Sequence, residues 1–232
     1  MAQNIRGLKY MYAKLISFSQ APSDEFIGLD TPEDLVAYCA RVSNPNAQIN
    51  SETAPKLLNY LAKHKHWSPF EMVSACIEVE TTRDIARQLL RHRSFSFQEF
   101  SQRYADVRDL GDSMVVRKAR LQDTKNRQNS IVTDDMKLHA TWEIHQRKVW
   151  QSAMAAYNWA IENGIAKEQA RAVMPEGNTP SRLYVNGTLR SWLHYIELRS
   201  ANGTQLEHIQ LAIAVADAIA KIFPSVDNFI EK

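Results

Sequence analysis

Val73, Ala75, Ile77 and Val79 alternate with Ser74, Cys76, Glu78 and Glu80. A period of two sends one face of a strand into a core and the other into water, so this segment predicts a half-buried strand. Ala13 to Phe18 is short and β-branched enough for a second strand, and Arg182 to Asn186 for a third. The remaining periodicity is helical. Thr31-Pro32-Glu33-Asp34 combines a capping residue, a first-turn proline and two acids at the positive end of the dipole. It predicts a helix running to about Val42, stopped by Asn44-Pro45. Ser51 to Lys65 predicts a second helix. Thr82 is placed to cap a third, ending near His92, with Ile85, Ala86, Leu89 and Leu90 on its apolar side. From Asp134 to Asn163, Leu138, Trp142, His145, Val149, Ala153, Ala156 and Ala160 keep the 3–4 spacing of a long helix, and Gly164 suits its C-terminal cap. Shorter helices are predicted over Ala166 to Met174, Leu189 to Leu198 and Gln205 to Ile222. Arg108 to Ser130 is polar and weakly periodic and predicts a long loop, a length at which loops carry function or mobility. The pattern as a whole is α+β: one helix-rich domain over residues 1–232 with a small antiparallel or mixed sheet and no linker.

Composition adds limits. At 232 residues the chain can bury one large core, or two small ones at most. A net charge of +2 lacks the basic excess of a nucleic-acid binder, and no apolar run reaches bilayer length. Met1 to Tyr12, with Arg6 and Lys9 and no apolar stretch, does not read as a secretion signal. Cys39 and Cys76 form no disulfide framework, which points to a reducing, cytoplasmic setting.

The chemistry concentrates after the central strand. Arg83, Arg87 and Arg91 repeat at i, i+4 and i+8, a like-charge stripe that costs a helix roughly 0.2–0.5 kcal/mol per pair. His92, Arg93 and Arg103 add to it, and Asp84 and Glu99 are the local acids. Cations at a helix C-terminus complement the dipole and their stems cover apolar surface. That accounts for Arg91 and extends at most to Arg93, but leaves the interleaved Ser94, Ser96, Gln98, Glu99 and Ser101 unexplained. Arginine forks beside hydroxyls and an amide suit a phosphate attached to a hydrogen-bonding ring. A competing reading makes the segment a nucleic-acid module, with Phe95, Phe97, Phe100 and Tyr104 as stacking groups. His64, His66, Glu71 and His92 match no metal-ligand spacing. His145 reads as a core histidine, and Trp142, Trp150 and Trp159 as core and interface packing.

Arg91-His92-Arg93, seven residues, then Ser101 resembles the RHR-x7-S motif of the flavin-dependent thymidylate synthases, and the run from Arg87 to Tyr104 is similar to that family throughout. His64 to Glu71, Ala170 to Pro175, and Leu198-Arg199 with Gln205 resemble its other site segments, so the likeness spans about residues 14 to 225. The resemblance implies reductive methylation of dUMP to dTMP, with FAD as cofactor, 5,10-methylenetetrahydrofolate as carbon donor and NADPH as reductant. Hydride would come from reduced flavin, without an enzyme nucleophile. It assigns Ser68, Arg91, His92, Arg93, Glu99, Thr188, Leu189, Arg190 and His194 to the flavin. It assigns Gln88, Leu89, Leu90, Arg91, Glu99, Phe100, Ser101, Gln102, Arg103, Arg171 and Arg199 to dUMP. Arg199 carries the catalytic role of favouring negative charge on the uracil ring. His194 stands where many members have Asn. The resemblance also implies a homotetramer with sites between subunits, and fits Arg91-His92 and Arg190-His194 acting from different chains. Arg117, Lys118, Arg120, Lys125 and Arg127 of the long loop read either as solvated or as contacts for the folate tail or the NADPH phosphate.

Overall fold

The computed structural model describes residues 11–22, 28–111 and 114–229; the N-terminal segment read against a secretion signal lies mostly outside them. In chain order the elements are β1 (Tyr12–Phe18), α1 (Pro32–Ala40), α2 (Ala54–Lys63), β2 (Ser74–Thr82), α3 (Arg83–Leu89), β3 (Ser96–Glu99), β4 (Arg120–Gln122), β5 (Ser130–Val132), α4 (Met136–Glu162), α5 (Lys167–Ala170), β6 (Pro180–Thr188), α6 (Leu189–Ser200) and α7 (Leu206–Ile219). The predicted α+β class holds: four antiparallel strands in the order β1-β2-β6-β3, with a separate β4–β5 hairpin.

The alternation of β2 does what its period requires. Ala75, Ile77 and Val79 are buried opposite Gly187, Val185 and Leu183 of β6. On the other face Glu78 accepts from the Tyr184 hydroxyl (2.7 Å), and Glu80 from Arg182 (2.9 Å). Helices α6 and α7 complete the main core with Trp192, Leu193, Ile196, Leu211 and Val215. The Trp192 indole donates to the Ala75 carbonyl (3.1 Å), which ties α6 to the central strand.

Gly187 shows how closely the cationic turn is fastened to this core. A Cβ at Gly187 would sit 2.3 and 2.6 Å from two ring atoms of Phe95. Phe95 is buried, with its ring centroid 4.4 Å from that of Trp192, so it has nowhere to go without moving the backbone two residues after Arg93. Gly187→Ala is expected to destabilise by about 1–3 kcal/mol through overpacking, read as a drop of several degrees in a calorimetric melt. An unchanged melt would mean that the ring swings out freely.

Other sequence expectations are corrected. Thr82 does not cap α3: the Arg83 N–H is met by the Thr179 carbonyl (3.0 Å). The Thr82 hydroxyl instead donates to Asp84 (2.5 Å) and accepts from Arg117 (2.7 Å). Helix α3 stops at Leu89, three residues short of His92, and continues as tight turns. The expected loop from Arg108 to Ser130 holds the β4–β5 hairpin. Helix α4 forms as expected, capped by Asp135 (2.9 Å to the Leu138 N–H), and Gly164 leaves it at φ +74°. Its apolar cover lies in the C-terminal half, where Ala153, Tyr157 and Ala160 pack against Val107, Ala170 and Met174; in the N-terminal half Gln146 is buried against the Arg117 backbone. Trp142 is 44% and Trp159 60% exposed, and His145 is exposed too, so neither that histidine nor those two tryptophans are core residues within one chain. Trp150 packs partly buried against the small cluster. Among the described residues no helix is long and apolar enough to cross a membrane.

Candidate active site

Three segments meet along α6. From the turn after α3, the Ser94 carbonyl accepts from Ser191 Oγ (3.4 Å), and the His92 and Tyr195 rings pack edge to face at 5.1 Å. From the turn Ser68–Glu71, Glu71 pairs with Arg190, and Trp67 packs edge to face on His194 at 4.5 Å. Thr188 caps the helix by accepting from the Ser191 N–H (3.3 Å). Ser68, the Arg91–Arg93 turn, Thr188, Arg190 and His194 are thus gathered around α6 within one chain. Leu189 is fully buried in the core and its N–H donates to the Val73 carbonyl (2.8 Å), so neither its side chain nor its N–H faces a ligand within one chain.

At the other end of α6, Arg199 Nε donates to His92 Nε2 (2.9 Å). The imidazole must therefore be the neutral tautomer protonated at Nδ1. Burial, and then the charges of Arg199 and Arg91, push His92 down to about 4. Next to it lies a buried polar chain. Gln88 Nε2 donates to Gln205 Oε1 (2.8 Å), Gln88 Oε1 faces His208 Nδ1 (3.1 Å), and His208 Nε2 faces the Tyr195 hydroxyl (3.1 Å). His208 is lowered to about 3 by burial, then by Arg199 and His92.

A second group sits at the start of α3. Glu99 accepts from Ser181 Oγ (2.9 Å) and lies 3.8 Å from Arg83. Arg103 pairs with Glu168 (3.5 Å), and the Arg171 Nε donates to the Glu168 carbonyl (3.4 Å). Ser101 is exposed, as is Tyr104 at 87%, and Phe100 is half-buried. Leu89 and Gln102 are buried and Leu90 packs against the core, so the side chains of Leu89 and Gln102 do not face a ligand within one chain. No hydrogen bond or ion pair joins this second group to the Gln88–Arg199 group among the described residues.

Charge pairing separates structural arginines from available ones. Arg87 reaches Glu176 (2.6 Å), and Asp84 serves Arg117 (2.8 Å) instead of the α3 stripe. Arg117 and Arg120 both bind Glu207 (2.9 and 2.6 Å), so their charge is met inside the fold and these two are not the solvated cations that one sequence reading expected; Lys118, Lys125 and Arg127 are exposed. Among the described residues, six arginines have no carboxylate within 4 Å. Arg41 is tied to the Asn50 carbonyl and Thr53 (2.5 and 2.8 Å), and Arg127 lies between β4 and β5. The other four are Arg91, Arg93, Arg171 and Arg199. Phe95 is 7% exposed and Phe97 packs against the core, which takes away two of the four stacking rings of the nucleic-acid reading.

Known proteins share this framework. The family described as thymidylate synthase complementing protein matches residues 26–225. A probable flavin-dependent thymidylate synthase of Paramecium bursaria Chlorella virus 1 is 50% identical over 216 residues, 93% of this chain and 97% of that one. The flavin-dependent thymidylate synthase of Synechocystis sp. is 45% identical over 201 residues, 87% of this chain and 90% of that one. The chain belongs to the flavin-dependent thymidylate synthase family. It is an enzyme of that methyltransferase class. A solved structure of a UMP/dUMP methylase from Streptomyces cacaoi, bound with 5-bromo-dUMP, superposes with a TM-score of 0.76 at 26% identity, covering 94% of this chain and 93% of that one. Within this family fold, the resemblance marked Gln88, His92, Arg199 and Gln205 but passed over Tyr195, Glu207 and His208. Their signal was available: Glu207 and His208 stand side by side in the largely apolar α7 segment LEHIQLAIAVADAI, and both are buried, so each needs a partner.

Proposed function

We propose that the chain methylates dUMP reductively to dTMP, with FAD as its bound cofactor, 5,10-methylenetetrahydrofolate as carbon donor and NADPH as reductant, in the cytoplasm. The observation that carries this reading is the set of four arginines, Arg91, Arg93, Arg171 and Arg199, that have no carboxylate within 4 Å among the described residues and are not otherwise accounted for. An arginine held among folded elements without a carboxylate is an anion site in waiting, and both a dinucleotide cofactor and a nucleotide substrate are phosphate anions.

The residues fit FAD. Arg91 and Arg93 supply cationic forks on an exposed turn, and Ser68, Thr188, Arg190 and the Trp67–His194 pair lie along the same side of α6. Reduced flavin supplies the hydride when bound. The protein orients and polarises. Arg199 is held at Nε by His92, which leaves its two terminal nitrogens directed elsewhere, and its permanent charge stabilises negative charge on the uracil ring. Because His92 stays neutral at pH 7, no imidazolium competes with the Arg199 guanidinium for that anion. Arg171, Arg103 and Ser101 bind dUMP, Ser101 as a hydroxyl donor and not as a nucleophile. Burial raises the thiols of Cys39 and Cys76, which disfavours the thiolate a cysteine mechanism needs.

Two features support a homotetramer with shared sites. The N-terminal half of α4 leaves Met136, Leu138, Trp142, Ile144 and Val149 exposed beside a groove of about 750 Å³ against the hairpin, an apolar face of the kind that marks protein contacts. Among the described residues no hydrogen bond or ion pair joins the two dUMP-binding groups of one chain, and a second copy would bring the Arg171–Ser101 group of one subunit to the Gln88–Arg199 group of another. One such domain spans residues 1–232.

The visible absorption spectrum of the purified protein, before and after dUMP, tests the reading. A two-band flavin spectrum that shifts with dUMP is expected. A colourless protein that takes up no added FAD would overturn it.

A further inference from the structure

Glu207 opens α7 at 3% exposure, and its carboxylate is a meeting point. Arg120 donates twice (2.6 and 2.8 Å), Arg117 lies at 2.9 Å, and Gln205 Nε2 donates at 3.0 Å. Burial alone would raise its pKa, but the Arg120 hydrogen bonds and the charges of Arg117 and Arg120 outweigh this and hold it at about 2. An ionised carboxylate only accepts.

That single charge fixes every partner beyond it. Gln205 must turn its NH2 toward Glu207, because the reverse flip would set carbonyl oxygen against carboxylate. Its oxygen then faces Gln88, which must present its own NH2 (2.8 Å). The Gln88 oxygen therefore faces His208 Nδ1 (3.1 Å), and only an N–H there makes a bond. A neutral imidazole protonated at Nδ1 has a lone pair at Nε2, so the buried Tyr195 hydroxyl donates to it (3.1 Å). Amide flips and imidazole tautomers are each two-fold choices decided by the surrounding network; here one end of the network has no choice.

We propose that Glu207 is a positioning residue: through Gln205 it locks the Gln88 amide in one flip and His208 in its Nδ1–H tautomer, and so presents a fixed amide edge to the nucleotide beside Arg199. This rests on the dUMP-binding role of Gln88 in the reading above. Gln88 has one N–H and one oxygen lone pair left over, and the lock decides which points where. It also keeps His208 from joining Arg199 as a second cation.

The test uses full-length protein labelled with 15N-histidine, the His208 signal being assigned by its loss in His208→Asn. At pH 7 the wild type is expected to show a single Nδ1–H tautomer for His208 without any ligand. Gln205→Met cuts the link yet leaves the Glu207–arginine pairs in place, so it avoids the folding risk of Glu207→Gln. It is expected to mix the His208 tautomers and to weaken dUMP binding about 5–20-fold. A protonated or Nε2–H His208 in the wild type would overturn the proposal. So would a Gln205→Met protein whose tautomer or dUMP affinity is unchanged. Because the tautomer is read without substrate, a wild type that shows it but binds no dUMP would refute the functional reading and leave the lock itself standing.

Discussion

Arg199→Ala is expected to lower kcat for dTMP formation about 10²–10³-fold, the cost of removing one preorganised group that meets charge developing in a transition state. The argument is electrostatic and local. The guanidinium has no carboxylate partner among the described residues, so its full charge is available. Its Nε is held by His92 (2.9 Å), so its direction is fixed before substrate arrives. Removing it orphans no buried acid, and the protein should fold with flavin bound. Arg199→Lys restores charge without the fork that spans His92 and the ring, and should recover only part of the loss. An independent readout accompanies this: the charge of Arg199 helps to depress His92, so the His92 pKa should rise in Arg199→Ala even with no substrate present. Steady-state rates with a dUMP titration of the flavin spectrum, plus histidine NMR, settle it. A kcat within 3-fold of wild type would remove Arg199 from the chemistry.

How far the sequence alone reaches depends on the range of the interaction concerned. Capping is local: Thr31 and Asp34 bond each other's backbones within one turn, and the helix start was readable from four letters. The alternation of β2 was readable for the same reason. The helical stripe of α4 was equally plain, but a period reports that a face is apolar, not what covers it. Ala153 and Ala160 are buried by their own chain while Trp142 and Val149 are not. The β4–β5 hairpin escaped because strands of three residues are too short for a period of two to register. The cationic segment stood out by composition, and the long motif from Arg87 to Tyr104 tied it to a family. Its neutralisation did not. Asp84 and Glu99 were the acids within reach in sequence, whereas Arg87 is paired with Glu176, and the loop cations Arg117 and Arg120 with Glu207. Those partners are 87 to 90 residues away, where no spacing rule applies. The lock at Glu207 lay beyond sequence reading for the same reason.

Acid should unfold this protein earlier than its carboxylates dictate, and the histidines are the cause. His92 and His208 sit at about 4 and about 3 in the folded chain against 6.5 when free, both depressed first by burial, and His194 is lowered too. A group with a depressed folded pKa favours the unfolded state once that state can take a proton the folded one refuses. The stability present above pH 6.5 is therefore lost as pH falls from there toward 4 and 3. Between pH 7 and pH 5 the two most buried rings together should cost on the order of 3 kcal/mol. The carboxylates act lower down. Glu207 and Asp106 are held at about 2 from ordinary values of 4.5 and 3.8, so their contribution starts to fade only as pH drops through those ordinary values. Denaturant midpoints measured from pH 7.5 to 5 should fall steadily, and His208→Asn should flatten the slope while lowering stability at pH 7.5. A midpoint that stayed level down to pH 5 would mean that both rings take up protons in the folded chain as readily as in the unfolded one, and the depressed pKa values of His92 and His208 would have to be abandoned.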